Sequence, residues 1–105
     1  MDLNEMSLNA HLVAKKREEN GANVKLCDLF KHLAGEVVEA NEAFTKWECN
    51  GRLSQELKSE YAEELADVLL GVLIAAGRDN IDIESAVNSK MQKNIKRAAL
   101  EGDKL

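Results

Sequence analysis

Apolar residues recur at helical spacing along almost the whole chain. Leu3, Met6, Ala10 and Val13 mark a first helix over about Asn4 to Asn20, and Asn20-Gly21-Ala22-Asn23 reads as its stop. A second helix, about Val24 to Trp47, carries the stripe Leu26, Leu29, Phe30, Leu33, Val37, Ala40, Phe44 and Trp47. Glu48 to Leu53 is the turn, and Ser54 is placed to cap a third helix running to about Gly77-Arg78. The stripe of that helix is Leu57, Tyr61, Leu65, Val68, Val72 and Ala76. Ile81-Asp82 opens a fourth helix, with Asp82 as its N-cap and Ile83, Val87, Met91 and Ala98 as its stripe; it fades near Glu101-Gly102. Strand alternation never persists beyond a few residues, and there is no repeat or linker. The pattern predicts one all-α domain over residues 1–105, a four-helix bundle-like fold around a central antiparallel hairpin bent at Asn50-Gly51.

The run Val68-Leu69-Leu70-Gly71-Val72-Leu73-Ile74-Ala75-Ala76 is apolar on every side. Such a helix is normally buried all round, which three other helices of a small chain do not achieve. A homo-oligomer is therefore expected, with Gly71 allowing close backbone approach at the contact.

Polar positions add chemistry to the hairpin. Glu36-Val-Val-Glu39 precedes the turn and Glu64-Leu-Ala-Asp67 follows it, the two pairs being symmetric about Gly51. At about 1.5 Å per residue both lie roughly 20 Å below the tip. Glu36 and Glu64 stand roughly 70–80° from the centres of their stripes, and Glu39 and Asp67 roughly 130–140°, all in the same sense. Antiparallel neighbours related by a two-fold preserve that sense, so the four carboxylates converge on one side. Acidic i,i+3 pairs number six in this chain, so one pair alone is a weak signal; matched height and rotation make the stronger one. Four converging carboxylates are costly unless a cation sits among them, and hard oxygen ligands suit Mg²⁺, with Mn²⁺ as an alternative. A di-iron site would need Glu-x-x-His pairs. The only histidines, His11 and His32, do not supply them, and His32 reads as an amphipathic-edge residue.

Composition narrows the partners. The net charge of −5 argues against a nucleic-acid surface. No apolar segment is long enough to span a membrane, and the acidic N-terminus lacks a signal-type run, so a cytoplasmic protein is expected. Cys27 and Cys49 lack ligand spacing and read as reduced thiols. The fourth helix sets Lys90, Lys93, Asn94 and Arg97 on one face, along the rim of its stripe and pointing inward. Taken alone this is a basic helix end suited to the macrodipole; beside a metal-demanding acidic cluster it suits phosphate oxygens. Trp47 reads as a core or interface residue rather than a base-stacking one, and no nucleobase is indicated.

These residues resemble the MazG-type all-α nucleoside triphosphate pyrophosphohydrolases. The similarity rests on Glu36-x-x-Glu39 and Glu64-x-x-Asp67, followed by the tail from Asn80 to Arg97, and covers about residues 25 to 98. Gly35 stands where many members carry a further acid, so no ligand is expected there. The resemblance implies that Glu36, Glu39, Glu64 and Asp67 hold Mg²⁺, with the general base, where a cluster residue takes that role, being one of the three glutamates. It also implies that Lys90, Lys93, Asn94 and Arg97 meet the phosphates, and that a nucleoside triphosphate is split into monophosphate and pyrophosphate by a homodimer or homotetramer. A phosphoribosyl-ATP pyrophosphatase-like enzyme and a non-enzymatic helical binding module are the alternatives.

Overall fold

A computed structural model describes residues 2–22 and 25–101, the last by its backbone only; Asn23, Val24 and Gly102, named above, lie outside the described residues. Four α-helices follow in order: α1 (Leu3–Glu19), α2 (Leu29–Cys49), α3 (Gln55–Arg78) and α4 (Ile83–Glu101), with a 3₁₀ turn at Leu26–Asp28 before α2. The described residues contain no strand. No helix among them is long and apolar enough to cross a membrane.

The ends are where the local chemistry puts them. Asp2 caps α1 by accepting from the Glu5 N–H, and Ser54 caps α3 by accepting from the Leu57 N–H. Asp82 Oδ1 accepts from the Ser85 N–H at 3.0 Å, as expected of the α4 cap. The first three helices stop in the same way, with a residue in the left-handed region just past the end: Gly21 (φ 87°), Gly51 (φ 70°) and Asn80 (φ 53°). In each case the next N–H reaches back over the last turn, Ala22 to Arg17 O, Arg52 to Trp47 O and Ile81 to Ala76 O, which satisfies carbonyls the helix leaves open. The second helix begins later than its apolar stripe suggests. Leu26 is held in the 3₁₀ turn, its N–H donating to Glu18 Oε2 at 2.7 Å and its carbonyl accepting from Arg78 Nη1 at 2.7 Å.

Helices α2 and α3 form the hairpin, and α1 crosses α3 near its C-terminal end. The crossing is tight because small groups meet there. Ser7, buried, donates its hydroxyl to Leu73 O at 2.6 Å, and Gly77 faces the Ser7 carbonyl and the His11 Cβ. Leu29 and Leu73 are the most completely buried large side chains. Beyond them the core is made of alanines, Ala40, Ala75, Ala76 and Ala98, which let helix axes approach closely.

One expectation about α3 needs correction. Gly71 serves a contact inside the chain: a Cβ there would lie 2.7 Å from Leu33 Cδ1 on α2. The run from Val68 to Ala76 is only partly covered within one chain, as expected: Leu69, Leu70 and Val72 are exposed while Leu73, Ala75 and Ala76 are buried. Helix α4 packs on α1, tied by Asn4 Nδ2 to Asp82 Oδ1 at 2.9 Å and by the Glu84 N–H to Asn4 Oδ1 at 3.3 Å. Its stripe residues Val87 and Met91, expected to face inward, are exposed.

Candidate metal centre and adjoining cleft

Folding back at Asn50-Gly51 brings the acidic pairs to one level, as two helices of equal rise must. One carboxylate oxygen each of Glu36, Glu64 and Asp67 lies within 4.8 Å of the others. The charge of Glu39 acts on both Glu36 and Glu64, so all four acids share one neighbourhood. Glu36 is pinned from its own helix: His32 Nε2 lies 2.8 Å from Glu36 Oε1, an i,i+4 pair. His32 thus touches the acidic cluster, a closer relation than the edge position read from sequence.

Two oxygens in this cluster stand out. Glu36 Oε2 and Glu64 Oε2 are buried and have no hydrogen-bond partner. A buried carboxylate oxygen without a donor is unfavourable by several times the net worth of an ordinary hydrogen bond. The electrostatics agree. Burial pushes both carboxyls above the ordinary 4.5; for Glu36 the charges of Glu39 and Asp67 add to it against a smaller opposing effect of His32, and for Glu64 those of Glu39, Asp67 and Glu36 add to it. The donor set is all oxygen apart from the adjacent imidazole, which fits a hard divalent cation such as Mg²⁺ or Mn²⁺.

The raised pKa values have a sign in stability. A carboxyl that titrates higher in the folded state makes that state bind more protons than the unfolded chain just above pH 4.5. Stability from Glu36 and Glu64 is therefore gained as pH falls through that window and lost as pH rises. The metal-free protein is expected to melt at a higher temperature near about pH 5 than near neutral pH, and added Mn²⁺ should close most of that gap at neutral pH. Thermal melts across that range check it; a profile that rises steadily toward neutral pH, unchanged by Mn²⁺, contradicts the cluster as described.

Below the cluster, between α1, the start of α2 and the end of α3, lies a cleft of about 370 Å³. Its walls are mostly apolar, with Val13, Leu29, Leu33 and Ile74 among them. Glu36, Asp67 and His32 also line it, so the cleft opens onto the acids. Asn9 and Arg17 bring polar groups from α1. Sequence reasoning missed these two. The available signal was their place on the α1 face: Met6, Asn9, Ala10, Val13 and Arg17 follow helical spacing, and two polar residues interrupt an otherwise apolar surface.

Lys90, Lys93, Asn94 and Arg97 lie elsewhere. All four are exposed on α4, and none lines the cleft. They do share one helix face, but within a single chain they do not point inward along a packed rim, because all four are exposed on a helix that packs chiefly on α1. Trp47 sits half-buried near the hairpin tip, stacked on Tyr61 at 5.8 Å and edge-on to Phe44 at 6.5 Å, with the Arg52 guanidinium 5.0 Å from its ring centre. That cluster is a core built at the tip, as expected for Trp47.

Comparison with known proteins agrees with the acidic hairpin. No curated protein and no solved structure matches the chain. A sequence model of the MazG nucleotide pyrophosphohydrolase domain matches residues 26–99, from the 3₁₀ turn before α2 through almost all of α4. That span holds both acidic pairs, the turn between them and the basic face of α4, and the chain belongs to the MazG nucleotide pyrophosphohydrolase family.

Proposed function

We propose that this protein is a divalent-metal-dependent nucleoside triphosphate pyrophosphohydrolase that releases a nucleoside monophosphate and pyrophosphate. The observation that carries the reading is the pair of buried, partnerless oxygens on Glu36 and Glu64, set within a tight carboxylate cluster at the mouth of an apolar cleft. Glu36, Glu39, Glu64 and Asp67 would hold the ion, Mg²⁺ in preference. Bound there, it supplies positive charge to the triphosphate and lowers the pKa of water.

The chain's own residues do the rest. The cleft takes the nucleoside, its apolar walls excluding water from one side of the cluster while Asn9 and Arg17 offer polar contacts. The triphosphate then lies toward the acids. A water oxygen attacks phosphorus, the anhydride bond between the α and β phosphates breaks, and the pyrophosphate oxygen leaves with the bonding pair. A carboxylate of the cluster takes the proton of the attacking water. The raised pKa values of Glu36 and Glu64 make their carboxylates stronger bases and move them toward the range useful for that task. His32 holds Glu36 Oε1 and leaves Oε2 facing inward. Lys90, Lys93, Asn94 and Arg97 are proposed to neutralise phosphate charge on the strength of their chemistry and shared face.

A panel of nucleoside triphosphates and deoxynucleoside triphosphates, with pyrophosphate detection and with or without Mg²⁺, tests the reading. Metal-dependent release of equal monophosphate and pyrophosphate is expected. Phosphate in place of pyrophosphate, or turnover unaffected by chelator, excludes it. Turnover confined to phosphoribosyl-ATP supports the related alternative.

A further inference from the structure

The cleft beside the acids has a far end. Antiparallel α2 and α3 line it in matched levels: Glu36 with Asp67, then Leu33 with Leu70, then Leu29 with Ile74. Two turns separate the first and last levels on each helix, about 10 Å of rise. Arg17 lines the cleft at the level remote from the acids. Its carbonyl accepts from the Ala22 N–H, its neighbour Glu18 accepts from the Leu26 N–H at 2.7 Å, and Ala22 and Leu26 line the cleft with it. A nucleotide whose phosphates reach the acids therefore carries its base toward Arg17.

The Arg17 guanidinium is uncommitted. Arg52 is held by Glu48, and Arg78 by Asp79 and the Leu26 carbonyl. No hydrogen bond, ion pair or ring contact engages the Arg17 side chain among the described residues. The acids that line the cleft, Glu36 and Asp67, stand at its other end, and Glu18 is taken by the Leu26 N–H. The Arg17 end thus offers N–H donors and apolar surface, with no free side-chain acceptor among the lining residues. Asn9 also lines the cleft, but an amide both donates and accepts and suits any base edge; a guanidinium only donates.

We infer that Arg17 reads the base, and that the substrates are 6-oxopurine nucleotides, guanine nucleotides foremost. The inference rests on the proposed function for where the phosphates lie. Guanine turns two acceptors, O6 and N7, along one edge, which the planar guanidinium fork meets with two parallel bonds. Adenine sets an N–H₂ donor where guanine has O6, and cytosine sets one at N4, so a donor faces a donor. Thymine offers O4 alone along that edge. Leu29, Leu33 and Ile74 can cover the face of any base, so selection falls on the edge. Helix α1 lies outside the span 26–99 that the family model matches, so a contact from Arg17 is additional to the matched pattern.

Turnover of dGTP, dATP, dCTP and dTTP by the full chain with Mg²⁺, read as pyrophosphate, tests this. The wild type is expected to favour dGTP over dATP about tenfold in kcat/KM, the low end for a bidentate contact because Arg17 is exposed. Arg17→Met keeps the aliphatic stem; it should lower kcat/KM for dGTP about tenfold, chiefly through KM, and leave dATP within about twofold. Lys16→Met, one residue away and outside the cleft lining, should keep the wild-type preference. A second arm needs no turnover: GMP should raise the wild-type melting temperature more than AMP does, and Arg17→Met should remove the difference. A chain that hydrolyses no triphosphate yet separates GMP from AMP through Arg17 ends the hydrolase reading and leaves the base contact standing. Equal turnover of the four triphosphates, or a preference for a base other than guanine, overturns the inference. So do equal melting shifts with GMP and AMP, and so does an Arg17→Met that weakens all four substrates alike, which puts the guanidinium on the sugar or phosphates.

Discussion

Glu64→Gln is expected to make the metal-free protein more stable and to lower its pyrophosphohydrolase turnover by about a thousandfold or more. The two effects have one cause. Glu64 Oε2 is buried without a donor, and burial together with the charges of Glu39, Asp67 and Glu36 raises the pKa of its carboxyl. A glutamine of the same shape removes one of four crowded charges and brings an N–H₂ that can donate to Glu39. The folded apo state gains at neutral pH, where the repulsion is greatest. The same change deletes an anionic ligand from the proposed ion site, so the Mn²⁺-induced rise in melting temperature should shrink to a small fraction of the wild-type shift. Melts with and without Mn²⁺, beside turnover on the best triphosphate, separate the outcomes. Turnover within tenfold of wild type removes Glu64 from the site. A lower apo melting temperature means that the carboxylate is satisfied in a way the cluster geometry does not show.

The acidic pairs were legible for a geometric reason. Glu36, Glu39, Glu64 and Asp67 are placed by helix rise and rotation about one turn, and both quantities are fixed by backbone geometry and carry over from sequence. Helix ends were legible for a similar reason. Asp82, Ser54, Gly21 and Gly51 act through their own neighbouring backbone, so local chemistry decides them. What depends on a distant segment was not legible. The 3₁₀ turn at Leu26–Asp28 is held by Glu18 from one side and Arg78 from the other, and no periodicity around Leu26 announces either. Gly71 looked like a gap for a second subunit and is a gap for Leu33, because a glycine records that something comes close and not what it is. The α4 face was read correctly as a face, while its neighbour, α1, is set by the few polar ties at Asn4, Asp82 and Glu84. Asn9 and Arg17 show the same limit: their meaning comes from the cleft that α1 closes over α2 and α3.

Gly77→Ala is expected to destabilise the fold by about 2 kcal/mol and to lower its melting temperature by about 10 °C, although alanine is the better helix former by about 1 kcal/mol. A Cβ at position 77 would lie 2.7 Å from the Ser7 carbonyl oxygen and 2.7 Å from His11 Cβ, with the Ser7 carbonyl carbon at 3.3 Å. Two of those three atoms are backbone, so no rotamer change relieves the overlap and α1 must lift as a unit. Lifting it also stretches the buried Ser7 hydroxyl bond to Leu73 O, now 2.6 Å. Position 35 is the control. Nothing lies within 4 Å of a Cβ there, so Gly35→Ala should raise stability by about 0.5–1 kcal/mol through helix propensity alone. Gly71→Ala falls between the two, because the atom in the way is the end of the Leu33 side chain and can turn aside. Urea or thermal unfolding of the three variants therefore orders them 35, 71, 77 from most to least stable. A Gly77→Ala protein that melts with the wild type would mean that α1 is not seated on α3 as described. Since α1 is also one wall of the cleft, the same substitution should raise KM for a triphosphate more than it lowers kcat: it displaces Asn9, Val13 and Arg17 and leaves the hairpin that holds the acids intact.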